Sequence, residues 1–138
     1  MHSKRFGILM ALLGGSGLTP GETATAQTAP QQAWMSCKPK QIIETLGRQL
    51  HVQCSNSITL QEPNSGPTRT ISYIAILASD AAATRFLSMA SSALLSDRPF
   101  VAFLTGDAAN NVAGCRPEDC RTPLYYGLAA SDEAATPP

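Results

Sequence analysis

Histidine is the side chain that most often runs acid–base chemistry near neutral pH, and beyond the first 26 residues this chain has one, His51. A Ser-His-Asp triad would have to be built on it. His51 lies in an alternating stretch, QLHVQC, over residues 49–54. No Gly-x-Ser-x-Gly elbow, the turn that presents a catalytic serine, occurs anywhere in the chain. One imidazole among scattered carboxylates gives no metal-ligand spacing. Glu118 and Asp119 are acids of the kind glycoside hydrolysis uses, but adjacent side chains in one short loop do not straddle a sugar bond. His51 therefore reads as a surface or structural histidine and the acidic pair as a solvated loop. The expectation is a protein with no catalytic residue, no metal and no cofactor.

The four cysteines, Cys37, Cys54, Cys115 and Cys120, carry a different chemistry. An even number in a small exported chain favours two disulfides, for which three pairings exist. Proximity in sequence favours Cys37–Cys54 and Cys115–Cys120, and such bridges add roughly 2–4 kcal/mol each. The spacing Cys115-x4-Cys120 is not the Cys-x-x-Cys of redox proteins. Set beside Cys37 and Cys54, it does not make a zinc knuckle either.

Aromatic residues are few. Trp34, Tyr73, Tyr125 and Tyr126 are the candidates for contact with a ligand or partner, because their rings offer apolar faces with polar tips. Packing in the core or at its rim is the competing role for each, and for Trp34 docking on the core is the favoured one. Ten Lys/Arg balance ten Asp/Glu, giving zero net charge. Lys38 and Lys40 are a pair rather than a patch. Nucleic acid, which needs clustered cations to neutralise phosphates, is therefore not an expected main partner.

The N-terminus reads as a secretory signal peptide. His2, Lys4 and Arg5 precede an uncharged, mostly apolar run from Phe6 to Leu18, and Ala24-Thr25-Ala26 offers small residues at the positions signal peptidase reads. Cleavage is expected after Ala26. The apolar run is shorter than the roughly 20 residues a membrane span needs, so no span is expected after cleavage. The organisation expected is 1–26 signal peptide, 27–36 flexible lead-in, 37–128 one disulfide-bonded domain and 129–138 disordered tail. The expected location is secreted or periplasmic.

The elements that must position these side chains follow from periodicity. Residues 40–46 and 49–58 read as strands joined at Gly47-Arg48, with Leu50, Val52 and Cys54 alternating against polar neighbours. A short helix over 41–46 is the alternative for the first of them. The stretch 62–68 (EPNSGPT) is a loop, and 70–78 (TISYIAILA) a central strand. Ser79-Asp80 suits a helix cap, and Phe86, Met89, Ala90, Ala93 and Leu94 recur at helical spacing within 81–96. Pro99 ends that helix, 100–105 (FVAFLT) is a strand, and 122–128 (TPLYYGL) a short last one. The class expected is α+β, mainly β: a small, partly open OB-like barrel with one packed amphipathic helix.

This arrangement resembles the pentameric B subunits of bacterial A–B toxins of the pertussis-like, subtilase and typhoid type. The resemblance lies in a signal peptide before a short domain, the early Cys37/Cys54 pair, and the helix over 81–96 entering a strand through Arg98-Pro99-Phe100-Val101. The tight Cys115/Cys120 pair near the end completes it. It spans roughly residues 37–128. It implies an OB fold, a homo-oligomer that is a pentamer, a glycan ligand, and a helix lining a central pore. The loop after Cys54 is longer than in that family, and the aromatic-rich segment that usually follows its helix–strand unit is missing. No sugar-contacting residue carries over.

The reading is thus an exported non-catalytic binding module with a glycan or protein ligand. One alternative is a small envelope or inhibitor protein acting through protein contacts, which predicts one exposed apolar patch. The other is a periplasmic enzyme, which predicts a pocket of convergent polar groups at His51 or at the acidic loop.

Overall fold

The computed structural model describes residues 28–130. The expected signal peptide (1–26) and residues 131–138 of the tail expected over 129–138 lie outside the described residues, whereas Ala129 is tied to Pro99 and Arg98 by hydrogen bonds. The chain runs β1 (Gln32–Cys37), β2 (Pro39–Glu44), β3 (Gln49–Gln61), β4 (Thr68–Leu77), α1 (Ala83–Ser96), β5 (Phe100–Thr105), β6 (Cys120–Arg121) and β7 (Tyr125–Leu128). The class is α+β, mainly β. The strands divide into a three-stranded sheet, β1-β5-β7, and a four-stranded sheet, β2-β3-β4-β6, so the barrel stays open. All neighbours are antiparallel except β4 and β6.

Alternation decides what each strand buries. On β3 and β4, Leu50, Val52, Ile74 and Ile76 turn inward, while His51, Gln53, Tyr73 and Leu77 face the other side. The β2–β3 connection is a tight turn closed by the Arg48 N–H donating to the Thr45 carbonyl at 2.9 Å. Arg48, not Gly47, takes the left-handed conformation there, with φ 60°. Farther along β3, the four residues Cys54–Ser57 oppose the single residue Ser72 of β4. At this irregularity β3 leaves its ladder with β4, and β3 also lies against β1. The bulge is pinned by the Cys37–Cys54 disulfide and by Asn56, whose amide donates to the Ser36 carbonyl and whose oxygen accepts from Lys38 N–H.

The lead-in expected over 27–36 is corrected here: Gln32–Ser36 are part of β1 and pair in register with β5. Ordering follows from burial of Met35 and Cys37 on one face and from Trp34 packing on Phe103 on the other. Helix α1 seats Ala83, Phe86, Ala90 and Ala93 on the core, at the three- and four-residue spacing of one helical face. Phe86 meets Phe100 and Tyr126 edge-on at 5.2 and 5.1 Å. Of the face expected from sequence, Met89 is partly buried and Leu94 is exposed. The Asp80 carboxylate accepts from the Ala82 N–H at 2.8 Å, just ahead of the helix, while the N-cap residue itself is Ala82. Both disulfides pair as proximity suggested, and no cysteine is free.

Candidate functional site

Two surfaces gather the side chains singled out from the sequence. The first is the outer face of the three-stranded sheet. Trp34 on β1 stands opposite Phe103 on β5, which stands opposite Tyr125 on β7. Their ring centroids are 5.4 and 6.1 Å apart, so the three rings make one strip across the sheet. Residues directly opposite on one face of a sheet are its natural contact pairs, and here three such positions are aromatic. Tyr125 is 66% exposed, and the other two rings are half-buried beneath the strip's surface. The next row, Ser36–Val101–Gly127, carries only small or compact side chains. Neither row carries a formal charge.

Tyr126, adjacent in sequence, points to the other face. It packs against Phe86 and Phe100, and its hydroxyl donates to the Ala82 carbonyl at 3.1 Å. Of the four aromatic candidates, Tyr126 is therefore a packing residue: its hydroxyl ties β7 to the start of α1. Trp34 and Tyr125 meet on the strip through Phe103, a residue the sequence reading left out. The alternation of FVAFLT puts Phe103 on the face opposite Phe100, Ala102 and Leu104. Its meeting with Trp34 depends on the β1–β5 register, for which the sequence carries no marker.

The second surface is a cleft of about 290 Å3 on the outer face of the four-stranded sheet, lined by His51, Tyr73, Gly114, Arg116, Asp119 and Cys120. Its floor comes from β3 and β4, where the His51 and Tyr73 rings meet edge-on at 6.5 Å. Its wall is the loop closed by the Cys115–Cys120 disulfide. That loop is fastened in three ways. The Asp119 carbonyl accepts from both Ser72 and Tyr73 N–H at 2.9 and 3.0 Å. The Asn111 amide donates to the Cys115 and Cys120 carbonyls. Arg121, wholly buried, donates to the carbonyls of Thr105, Gly106, Pro117 and Cys120.

His51 sits at the bottom of this arrangement. Burial pushes its imidazole below the usual value of 6.5, with the Asp119 carboxylate pulling the other way. Its Nε2 is buried and, among the described residues, has no hydrogen-bond partner. The cleft thus joins His51 to the acidic loop, as the enzyme alternative requires. Yet among the lining residues no serine, threonine or free thiol stands beside the ring, and no hydrogen bond ties it to Asp119. The orienting contacts of a catalytic triad are not assembled there. No group of three or more potential metal ligands occurs among the described residues.

Comparison of the chain with protein-family models, curated proteins and solved structures finds no match. Two disulfides suit an oxidising, extracytoplasmic setting, and among the described residues no helix is long and apolar enough to cross a membrane.

Proposed function

We propose that the protein is an exported, non-catalytic binding module whose ligand, a glycan, lies across the Trp34–Phe103–Tyr125 strip. The observation that carries this reading is the alignment of three rings on one outward sheet face with no charge in their own row or the next. Ring faces offer rigid apolar area to the C–H faces of a sugar, and the indole N–H and phenol O–H supply polar tips for its hydroxyls. Aromatic side chains also lose little conformational entropy on binding, which suits a contact surface. Secretion or delivery to a periplasm fits the two bridges. The resemblance to toxin B subunits supports the same ligand class. It adds assembly into a ring, with contacts through the outward side of α1, where Leu87, Leu94 and Leu95 are exposed.

A glycan array with the oxidised protein, followed by calorimetric titration of the best ligand, tests the reading. Trp34→Ala and Tyr125→Ala are each expected to weaken binding about tenfold or more, about 1.4 kcal/mol. Absence of any glycan hit, or variants that bind as the parent does, would overturn it. Light scattering on the same sample tests the ring: a pentameric mass supports it, and a monomer at every concentration removes it.

A further inference from the structure

We propose that the cleft under the disulfide-closed loop is a second binding site, separate from the aromatic strip, and that it takes a small zwitterion, a free α-amino acid. Four observations point there. The first is charge. Arg116 and Asp119 are the first and last residues of the four between the linked cysteines, and both line the cleft. Among the described residues no ion pair joins them. A guanidinium and a carboxylate held apart at one opening suit a ligand that carries both opposite charges. They disfavour a plain anion or cation, each of which meets one repulsive neighbour.

The second is rigidity. The Cys120 N–H donates to the Arg116 carbonyl at 2.9 Å, the disulfide holds the loop ends with Cα atoms 5.3 Å apart, and Arg121 fastens the loop from beneath. The backbone that carries the two charged residues is thus placed before a ligand arrives, which lowers the ordering cost of binding.

The third is His51. Its ring lines the cleft and meets Tyr73 edge-on. Burial favours the neutral ring, which carries one acceptor nitrogen. A neutral ring adds no positive charge against an ammonium group, which Asp119 can take, while Arg116 takes the carboxylate in a forked pair. The fourth is size. A volume of about 290 Å3 stands at the lower end of small-molecule sites, which fits an amino acid better than an oligosaccharide. The Tyr73 ring is left for the ligand's side chain.

The test uses the oxidised, 15N-labelled protein and glycine, L-leucine, L-phenylalanine, L-glutamate and L-lysine added singly, with backbone amide shifts as readout. At least one is expected to move the amides of Tyr73, Gly114 and Asp119 in a saturable way. For that amino acid, the N-acetyl derivative, which lacks the ammonium, and the amide derivative, which lacks the carboxylate, should each bind about tenfold more weakly or worse. Arg116→Ala should weaken the amino acid about tenfold and bind its amide derivative no more weakly than the parent protein does, and Asp119→Asn should do the same with the N-acetyl derivative. Trp34→Ala should change none of these values, which keeps this site's outcome apart from that of the strip. No saturable shift with any of the five up to about 10 mM would overturn the proposal. Equal binding of the parent amino acid and its two blocked derivatives would do so as well.

Discussion

Arg121 is a cation at the centre of the molecule with main-chain carbonyls for company. Its guanidinium reaches Thr105 and Gly106 at the end of β5 and Pro117 and Cys120 in the disulfide loop. Carbonyl oxygens carry partial negative charge, and a planar fork of five donors can meet several at once. Replacing it with methionine keeps much of the volume and leaves those carbonyls without their donor. A loss of about 3 kcal/mol in unfolding free energy is expected, measured by urea denaturation. Arg121→Lys should recover little of it, because a single ammonium cannot reproduce the fork.

His51 gives a prediction of opposite character. Its folded pKa lies below the unfolded value, so the unfolded chain takes up the proton first as pH falls. The neutral ring's contribution is therefore complete above the unfolded value and is lost as pH falls through 6.5 towards the folded pKa. Melting temperature should drop between pH 7.5 and 5, and the drop should shrink in His51→Gln. A parallel decline in both proteins would assign the effect to other groups. Neither role was legible in the sequence. A lone arginine beside a cysteine looks like a surface residue until β6 places it inside.

At the scale of elements, periodicity served where a strand or helix has one buried face. The alternation over 49–54 and the helical recurrence of Phe86, Ala90 and Ala93 fixed two elements that together supply half of the main core's buried residues. It served poorly where an element is short or depends on a distant neighbour. β1 has only two buried side chains, Met35 and Cys37, too few to mark a strand by alternation. Pairing with β5, nearly 70 residues away, is what orders it. β6 is two residues long and exists because β4 offers it an edge. The turn at 45–48 was located correctly, but its left-handed residue is Arg48 and not the glycine beside it, since a following residue in that conformation suits a three-residue hairpin. Asp80 belongs to the same class of near miss: it turns the chain ahead of α1, two residues before the N-cap.

For the whole molecule, the class and the cysteine pairing followed from composition, alternation and spacing. The division of strands between two sheets did not, because nothing local tells a strand which distant edge it will meet. The aromatic strip depends wholly on that division. Trp34, Phe103 and Tyr125 come from three strands scattered along the chain and share a face only once β1, β5 and β7 lie side by side. The cleft is more local, with four of its six lining residues between Gly114 and Cys120, but its floor at His51 and Tyr73 comes from the other half of the chain.

The bridges themselves have a topological consequence. One closes entirely before the exposed Asn64-Ser65 turn and the other entirely after it, so no covalent link besides the main chain crosses that point. Severing the backbone there leaves two polypeptides, each carrying its own staple, that cling together through the β3–β4 ladder and the shared core. A specific protease site introduced at Asn64-Ser65 should give two bands on a denaturing gel without reductant, yet one peak in gel filtration under native conditions. Co-expressed as separate chains, the pieces should find each other, which makes this domain a split reporter by construction.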